Sequence, residues 1–264
     1  RLVEDLAPFT VASITPVIVD PETLFLILDV SAQFNSNLTT LASDDLQGTI
    51  TNTLTNFNNN SLKTFNSAFR HSQVTKLIDD SDTSLTSNIT RVVLGKFFTP
   101  TLNESVGYTI SFNNVIFNPH AGHNANEGGV IASTGFKVSG DTVNEMFLDE
   151  DGFGNIRRFY ILSGEKKYVD NTAGTINYGN GILSLNPLTI NQVSDVDNTS
   201  STQIRITTIP DSVDIIPVRN QLLEIDLVNT VVNVAIDRLG VGDINTVNTA
   251  DLATSSFTKT VSGY

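Results

Sequence analysis

The sequence predicts an α+β protein, with an N-terminal strand–helix–helix–strand unit followed by a β-rich region of short antiparallel strands. Three observations carry that reading. Leu24-Phe-Leu-Ile-Leu28 is a continuous apolar run of strand length. Leu46, Ile50, Leu54 and Phe57 recur at helical spacing. After Pro100 the apolar runs become short and are separated by Asn, Gly and Asp at intervals of about 8–12 residues, the rhythm of all-β segments.

The first strand spans residues 22–34, and its unbroken apolar stretch reads as a strand covered on both faces. A helix then opens near Ser43, a candidate N-cap. Asp44 and Asp45 lie at the positive end of its dipole. Asn58-Asn59-Asn60 is expected to end it, because Asn tolerates the left-handed conformation. A second helix is expected from about Ala68 to Asp79, capped by Ser67, with Val74, Leu77 and Ile78 buried. Asp79 and Asp80 oppose the dipole there and predict a prompt stop. Alternation from Ile89 to Phe98 predicts the closing strand, and Thr99-Pro100 ends it.

Downstream, Tyr108–Phe112 and Val115–Phe117 flank Asn113-Asn114 as an expected hairpin. Further strands are expected at 135–138, 145–148, 156–162, 167–169, 175–178, 181–185, 188–190, 203–209, 222–228 and 231–236. Pro210 and Pro217 bracket an edge segment. The expected organisation is a linker at 1–20 leading from an absent N-terminal part, an α+β domain at 21–102, a β-rich domain at 103–238 and a tail at 239–264. The tail, rich in Gly, Thr, Ser, Asn and Asp, is either mobile or ordered by another chain. The chain starts at Arg1 without Met or a signal peptide, and reads as a fragment of a longer polypeptide.

Composition narrows function. The 264 residues contain no Cys, which excludes a disulfide framework and thiolate metal sites. Fifteen Lys and Arg against 28 Asp and Glu give a net charge of −13, unsuited to nonspecific nucleic-acid binding. No apolar stretch approaches the ~20 residues needed to span a bilayer. Neither nucleic acid nor membrane is expected as a partner. Only 16% of residues are charged, so Asn, Thr and Ser must supply most of the polar surface.

Candidate chemistry is sparse. His120-Ala-Gly-His123 is the one His pair, but a metal needs three or four ligands and the setting reads as a loop. His71 has no sequence-adjacent acid or nucleophile and reads as a surface or interface polar residue. Asp149-Glu-Asp151-Gly-Phe-Gly-Asn155 superficially resembles a calcium loop. Arg157 and Arg158 intrude where further ligands belong, and a hairpin turn explains the glycines better. Nucleophile elbows, phosphate loops and paired-His zinc signatures are absent, and Gly240-Val-Gly242 lacks the strand and helix of a dinucleotide site. The expectation is therefore no catalytic residue, no cofactor and no enzyme, with His120, His123, Asp149 and Asp151 as the metal candidates to check.

Three stretches carry a resemblance to a known family. The first runs from Asp20-Pro21-Glu22 through Phe65–Arg70 and Ile78–Ser84 to Thr99–Leu102. The second joins Asp151–Arg157 to Gly174–Gly181, and the third is Pro217–Asp226. In these the chain resembles the baseplate wedge protein of T-even-like contractile-tailed phages, an inner-ring subunit distantly similar to the baseplate J family. The resemblance implies a baseplate-J-like domain at 21–102 and a structural role in the virion tail baseplate, assembled in the host cytoplasm. It also implies dimers that close into a six-fold ring around the hub, other wedge proteins as partners, and transmission of the shape change that triggers sheath contraction. The alternative is a carbohydrate- or calcium-binding adhesin or surface-layer module, using Tyr160, Tyr168 and Tyr178 as stacking platforms and Asp149 and Asp151 as calcium ligands.

Overall fold

The computed structural model describes residues 21–196 and 200–238, so the expected linker (1–20) and tail (239–264) lie outside the described residues. The chain is α+β and rich in strand. It begins with β1 (Glu22–Phe34), the helix α1 (Ser43–Phe57), a π-helical turn (Asn58–Leu62), the helix α2 (His71–Asp79) and β2 (Leu85–Phe98). β1 and β2 pair antiparallel, with Phe25 opposite Gly95 and Gln33 opposite Ser87.

That pair is the middle of a larger sheet. β10 (Ile204–Thr208) adds antiparallel to β2, and β4 (Ile131–Ser133) to β10. On the other side of β1 lie β11 (Gln221–Ile225) and β12 (Val231–Ile236), end to end and both parallel to it. Strands from 103–238 thus complete the sheet begun by residues 22–98. The parallel pairs depart from the expected antiparallel pattern because the chain returns to β1 after a long excursion, which a hairpin cannot provide. Between β11 and β12 the chain bulges away from β1. Thr230 Oγ1 fills the gap by accepting the Leu28 N–H at 3.2 Å.

The excursion builds the second sheet from β3 (Ser105–Ser111), β5 (Phe136–Val138), β6 (Asp141–Glu150), β7 (Asn155–Leu162), β8 (Glu165–Asn177) and β9 (Ile182–Val193). β5 through β9 pair in succession and β9 pairs back to both β5 and β8, closing a barrel, while β3 adds to β9. β8 and β9 are each one long strand where two short ones were expected. β9 carries Pro187 without a lost bond because the ladder to β3 skips Gly107 there.

The helices cover one face of the first sheet. Leu24, Leu26, Leu28 and Val30 alternate toward them and are fully buried with Leu46, Ile50, Val74 and Ile78. The intervening Phe25 and Ile27 are only half-buried. Among the described residues β1 is therefore covered on one face, not two, and its outer apolar residues rest on same-face neighbours, as in the edge-to-face contact of Phe25 with Phe97 at 5.0 Å.

Several local expectations change for identifiable reasons. α1 starts from Ala42, whose N–H donates to Asp45 Oδ2 at 3.2 Å, so Ser43 is not the cap. Asn58 does not end the helix in a left-handed turn. It stays right-handed, continues into the π-helical turn, and buries its amide to accept the Ile225 N–H at 2.8 Å. α2 begins at His71 rather than Ala68, because Phe69 bridges Ile215 and Asp214 Oδ1 accepts the His71 N–H at 2.9 Å. Ser67 instead donates to the Leu62 carbonyl. Asn113 has φ 57°, but its flanks do not form a hairpin; β3 pairs β9 and Ile116 bridges Pro210.

The Asn58 contact yields a prediction. Asn58→Ala leaves the buried Ile225 N–H without an acceptor and should lower stability by about 1–3 kcal/mol in urea unfolding. Asn59→Ala, at an exposed neighbour, should stay within about 0.5 kcal/mol.

Candidate functional site

The densest polar chemistry lies where the β6–β7 hairpin meets β8. The hairpin register sets Asp149 opposite Arg157 and Glu150 opposite Ile156. Because successive strand residues face opposite ways, Asp149 and Glu150 serve two separate contacts.

Asp149 is 1% exposed. Its Oδ1 accepts from Arg157 Nε at 3.0 Å; its Oδ2 accepts from Lys166 Nζ at 2.8 Å and from the Tyr168 hydroxyl at 2.8 Å. Arg157 also donates to the carbonyls of Ala125 and Glu150, and its guanidinium sits 4.3 Å over the Tyr168 ring. Lys166 reaches the Glu127 carbonyl and lies 4.6 Å over Phe159. Burial first, and then the Asp149 charge, pushes the Tyr168 hydroxyl up to about 12, so it stays protonated and donates.

Glu150, fully buried, accepts the backbone N–H groups of Val130 at 3.1 Å and Ile131 at 2.7 Å. Burial raises its carboxyl above the ordinary glutamate value of 4.5, outweighing the two amides that favour the charged form. Both acids therefore fasten the same segment, residues 125–131, to the barrel. Gly128 belongs to it because a Cβ there would lie 2.5 Å from Asp149 Oδ2, at a φ of +64°.

Asp151 does different work. Burial alone would push its carboxyl up. Bonds from Asn155 and the Phe153 N–H, with Arg157 nearby, outweigh that and hold it below the ordinary aspartate range. Its oxygens are spent on the turn that joins β6 to β7. The segment 149–155 is thus a pinned hairpin turn in which Arg157 and Lys166 supply positive charge next to Asp149.

His120 and His123 come together, with ring centroids 5.1 Å apart and nearly perpendicular, and His123 also meets the edge of Phe117. Gly152 lies against this loop so closely that a Cβ would come within 2.4 Å of the His123 carbonyl. Among the described residues no group of three or more His, Cys, Asp or Glu side chains is arranged to hold a metal ion. His71 uses Nε2 to meet the Thr90 carbonyl at 2.8 Å and so ties α2 to β2. Tyr160, Tyr168 and Tyr178 are each half-buried, and Tyr178 packs on the core with its hydroxyl pushed up to about 12 by burial and the Glu150 charge.

A groove of about 530 Å³ opens on the outer face of the first sheet, lined by Phe25, Phe97 and Val228. Its one acid, Asp226, spends both oxygens on Asn229. The arrangement can hold segments of chain in place.

Sequence reasoning found Asp149 and Asp151 but did not pair Asp149 with Arg157, Lys166 and Tyr168, nor give Glu150 a role. The signal existed. A hairpin closing on Gly152-Phe-Gly154 sets Asp149 against Arg157 by register alone.

Comparison with known proteins adds one finding. Residues 22–96 match the family model described as baseplate structural protein gp6, C-terminal domain III. A search of curated proteins finds no match. The matched stretch runs from the first residue of β1 almost to the end of β2, with both helices between them. On this match residues 22–96 are similar to a C-terminal domain of a phage baseplate structural protein.

Two predictions test the charge cluster. Arg157→Met strands a buried carboxylate that only Lys166 and Tyr168 still face, and should cost about 3 kcal/mol in chemical denaturation. For Glu150 the sign follows from its raised pKa. The protonated form favours the fold, so its contribution is full below 4.5 and is lost as pH rises through the folded value. Wild type should therefore gain thermal stability relative to Glu150→Gln as pH is lowered from neutral toward 4.5. Parallel melting curves across that range would contradict the assignment.

Proposed function

We propose that this chain is a wedge subunit of a contractile-tail baseplate, that it dimerises, and that the dimers close into a six-fold ring around the hub. In this reading the ring, together with other wedge proteins, passes on the shape change that triggers sheath contraction. The observation that carries it is the family match over residues 22–96.

The physical organisation supports the same reading. A ring subunit has to present several faces at once and keep its shape while its neighbours move. Among the described residues the outer face of the first sheet is uncovered, with Ile89 and Val231 at least half exposed. The buried charges are turned inward onto the chain's own backbone, where they fix segments rather than bind solutes. A surface poor in charge lets polar side chains meet a partner with little ion desolvation. Closed rings follow when one heterologous contact repeats through an angle that closes.

The alternative, a carbohydrate- or calcium-binding adhesin, would use Tyr160, Tyr168 and Tyr178 with Asp149 and Asp151. Tyr168 and Asp149 are already bound to one another, which weighs against it.

The test is reconstitution. The full-length protein, mixed with the other wedge proteins of its phage, should co-sediment as a stoichiometric complex larger than any component. Sedimentation as a free monomer in every such mixture would overturn the proposal.

A further inference from the structure

The first sheet has edges, and an open strand edge is a template for another strand. Most of its edges are covered by the fold itself. α2 lies along β2, where His71 meets the Thr90 carbonyl and Asn88 donates to the Thr75 carbonyl of α2. Asn58 accepts the outward Ile225 N–H of β11. β4 is only three residues long. β12 is different: it pairs β1 on one side and no described strand on the other.

The side of β12 on which no described strand lies can be specified. The Asp237 N–H donates to the Phe34 carbonyl, so the odd-numbered residues of this strand direct their backbone groups at β1. Alternation then turns the N–H and C=O of Val232, Val234 and Ile236 outward. Residues 231–236 read Val-Val-Asn-Val-Ala-Ile, without charge, proline or bulge, and they sit in an uncharged ten-residue run, 227–236, of a chain whose net charge is −13. None of the usual devices that blunt an edge is present in β12. Val231 and Ile236 are about half exposed beside it.

We propose that the β12 edge pairs with β12 of a second copy of the chain, antiparallel about a two-fold axis through Asn233. Charge favours this occupant, because an acidic protein can meet itself closely only where acids are missing. Register favours it as well. Centring on Asn233 sets Val232 against Val234 of the second copy. Those are the residues whose N–H and C=O point outward, so each pair exchanges both hydrogen bonds. Val231 then faces Ala235, and no charged residue lies opposite a like charge between 230 and 236. The two first sheets become one continuous sheet, with Asn233 against its own symmetry mate as a non-hydrogen-bonded pair. This inference rests on the self-association part of the proposed function and locates its face.

The chain contains no Cys, so Asn233→Cys introduces a single thiol. At a non-hydrogen-bonded antiparallel position the Cα atoms lie about 4.5 Å apart, within reach of a disulfide. Under mild oxidation Asn233→Cys should form a covalent dimer, whereas Val143→Cys, exposed on β6, should remain monomeric. In sedimentation equilibrium, Asn233→Asp and Asn233→Lys should each weaken self-association about fivefold or more, and an equimolar mixture of the two should restore it. Both substitutions fall on an exposed side chain, and unchanged melting temperatures verify that the fold survives. Wild-type dimers that persist unchanged in Asn233→Asp, or equal cross-linking of the Asn233→Cys and Val143→Cys variants, would overturn this interface while leaving self-association standing. A wild type that is monomeric at every concentration would overturn both.

Discussion

The structure depends on how β1 acquires its neighbours. Its residues Leu24, Leu26, Leu28 and Val30 form the floor on which both helices rest, and all four are fully buried. A strand in that position needs hydrogen-bond partners on each side. β2 comes from the same end of the chain, but β11 and β12 come from roughly two hundred residues later. The sheet closes only after the rest of the polypeptide has been placed. Such non-local pairing has to overcome loop-closure entropy before its contacts reward it. The gap between β11 and β12 shows how tightly the closure is specified, since the Thr230 hydroxyl takes the place of the missing backbone acceptor for Leu28.

In this topology the barrel is an insertion. β2 and β10 are direct neighbours in the first sheet, and nearly everything between them in sequence forms the second. The two are joined by the segment 125–134, which leaves the barrel's charge cluster and enters the first sheet as β4. Glu150 holds the amides of Val130 and Ile131, the Ser133 hydroxyl accepts the Leu148 N–H, and the Thr134 N–H donates to the Arg205 carbonyl. The Glu150 and Ser133 bonds tie this segment to β6 of the barrel, and the Thr134 bond ties it to β10 of the first sheet. Buried charges are costly to keep, and here they fasten the segment that links the two sheets.

Much of this was legible from residue patterns. β1 falls on 22–34 as expected, because its apolar run and flanking turn residues leave little choice. The apolar stripe of α1 is equally plain, and Leu46, Ile50, Leu54 and Phe57 are its buried residues. The errors cluster where a distant residue decides a local outcome. Asp214 caps α2 from 143 positions away, and Asn58 is held right-handed by its bond to Ile225. Parallel pairing of β11 and β12 cannot be read from either strand alone. The candidate site was half visible: Asp149 and Asp151 stood out as acids, while Lys166 and Tyr168 become neighbours of Asp149 only when β8 folds back along β7.

The buried polar groups of the barrel are spent on the chain's own architecture, as expected of a shaped building unit. Under the proposed function, electron cryo-microscopy of an intact contractile tail that contains this chain tests this most directly. The account predicts density for this fold within the baseplate, in several symmetry-related copies, each seated against other structural chains. A baseplate in which the fold is absent, or in which it occurs only at a receptor-binding tip with a bound sugar or metal, would contradict it.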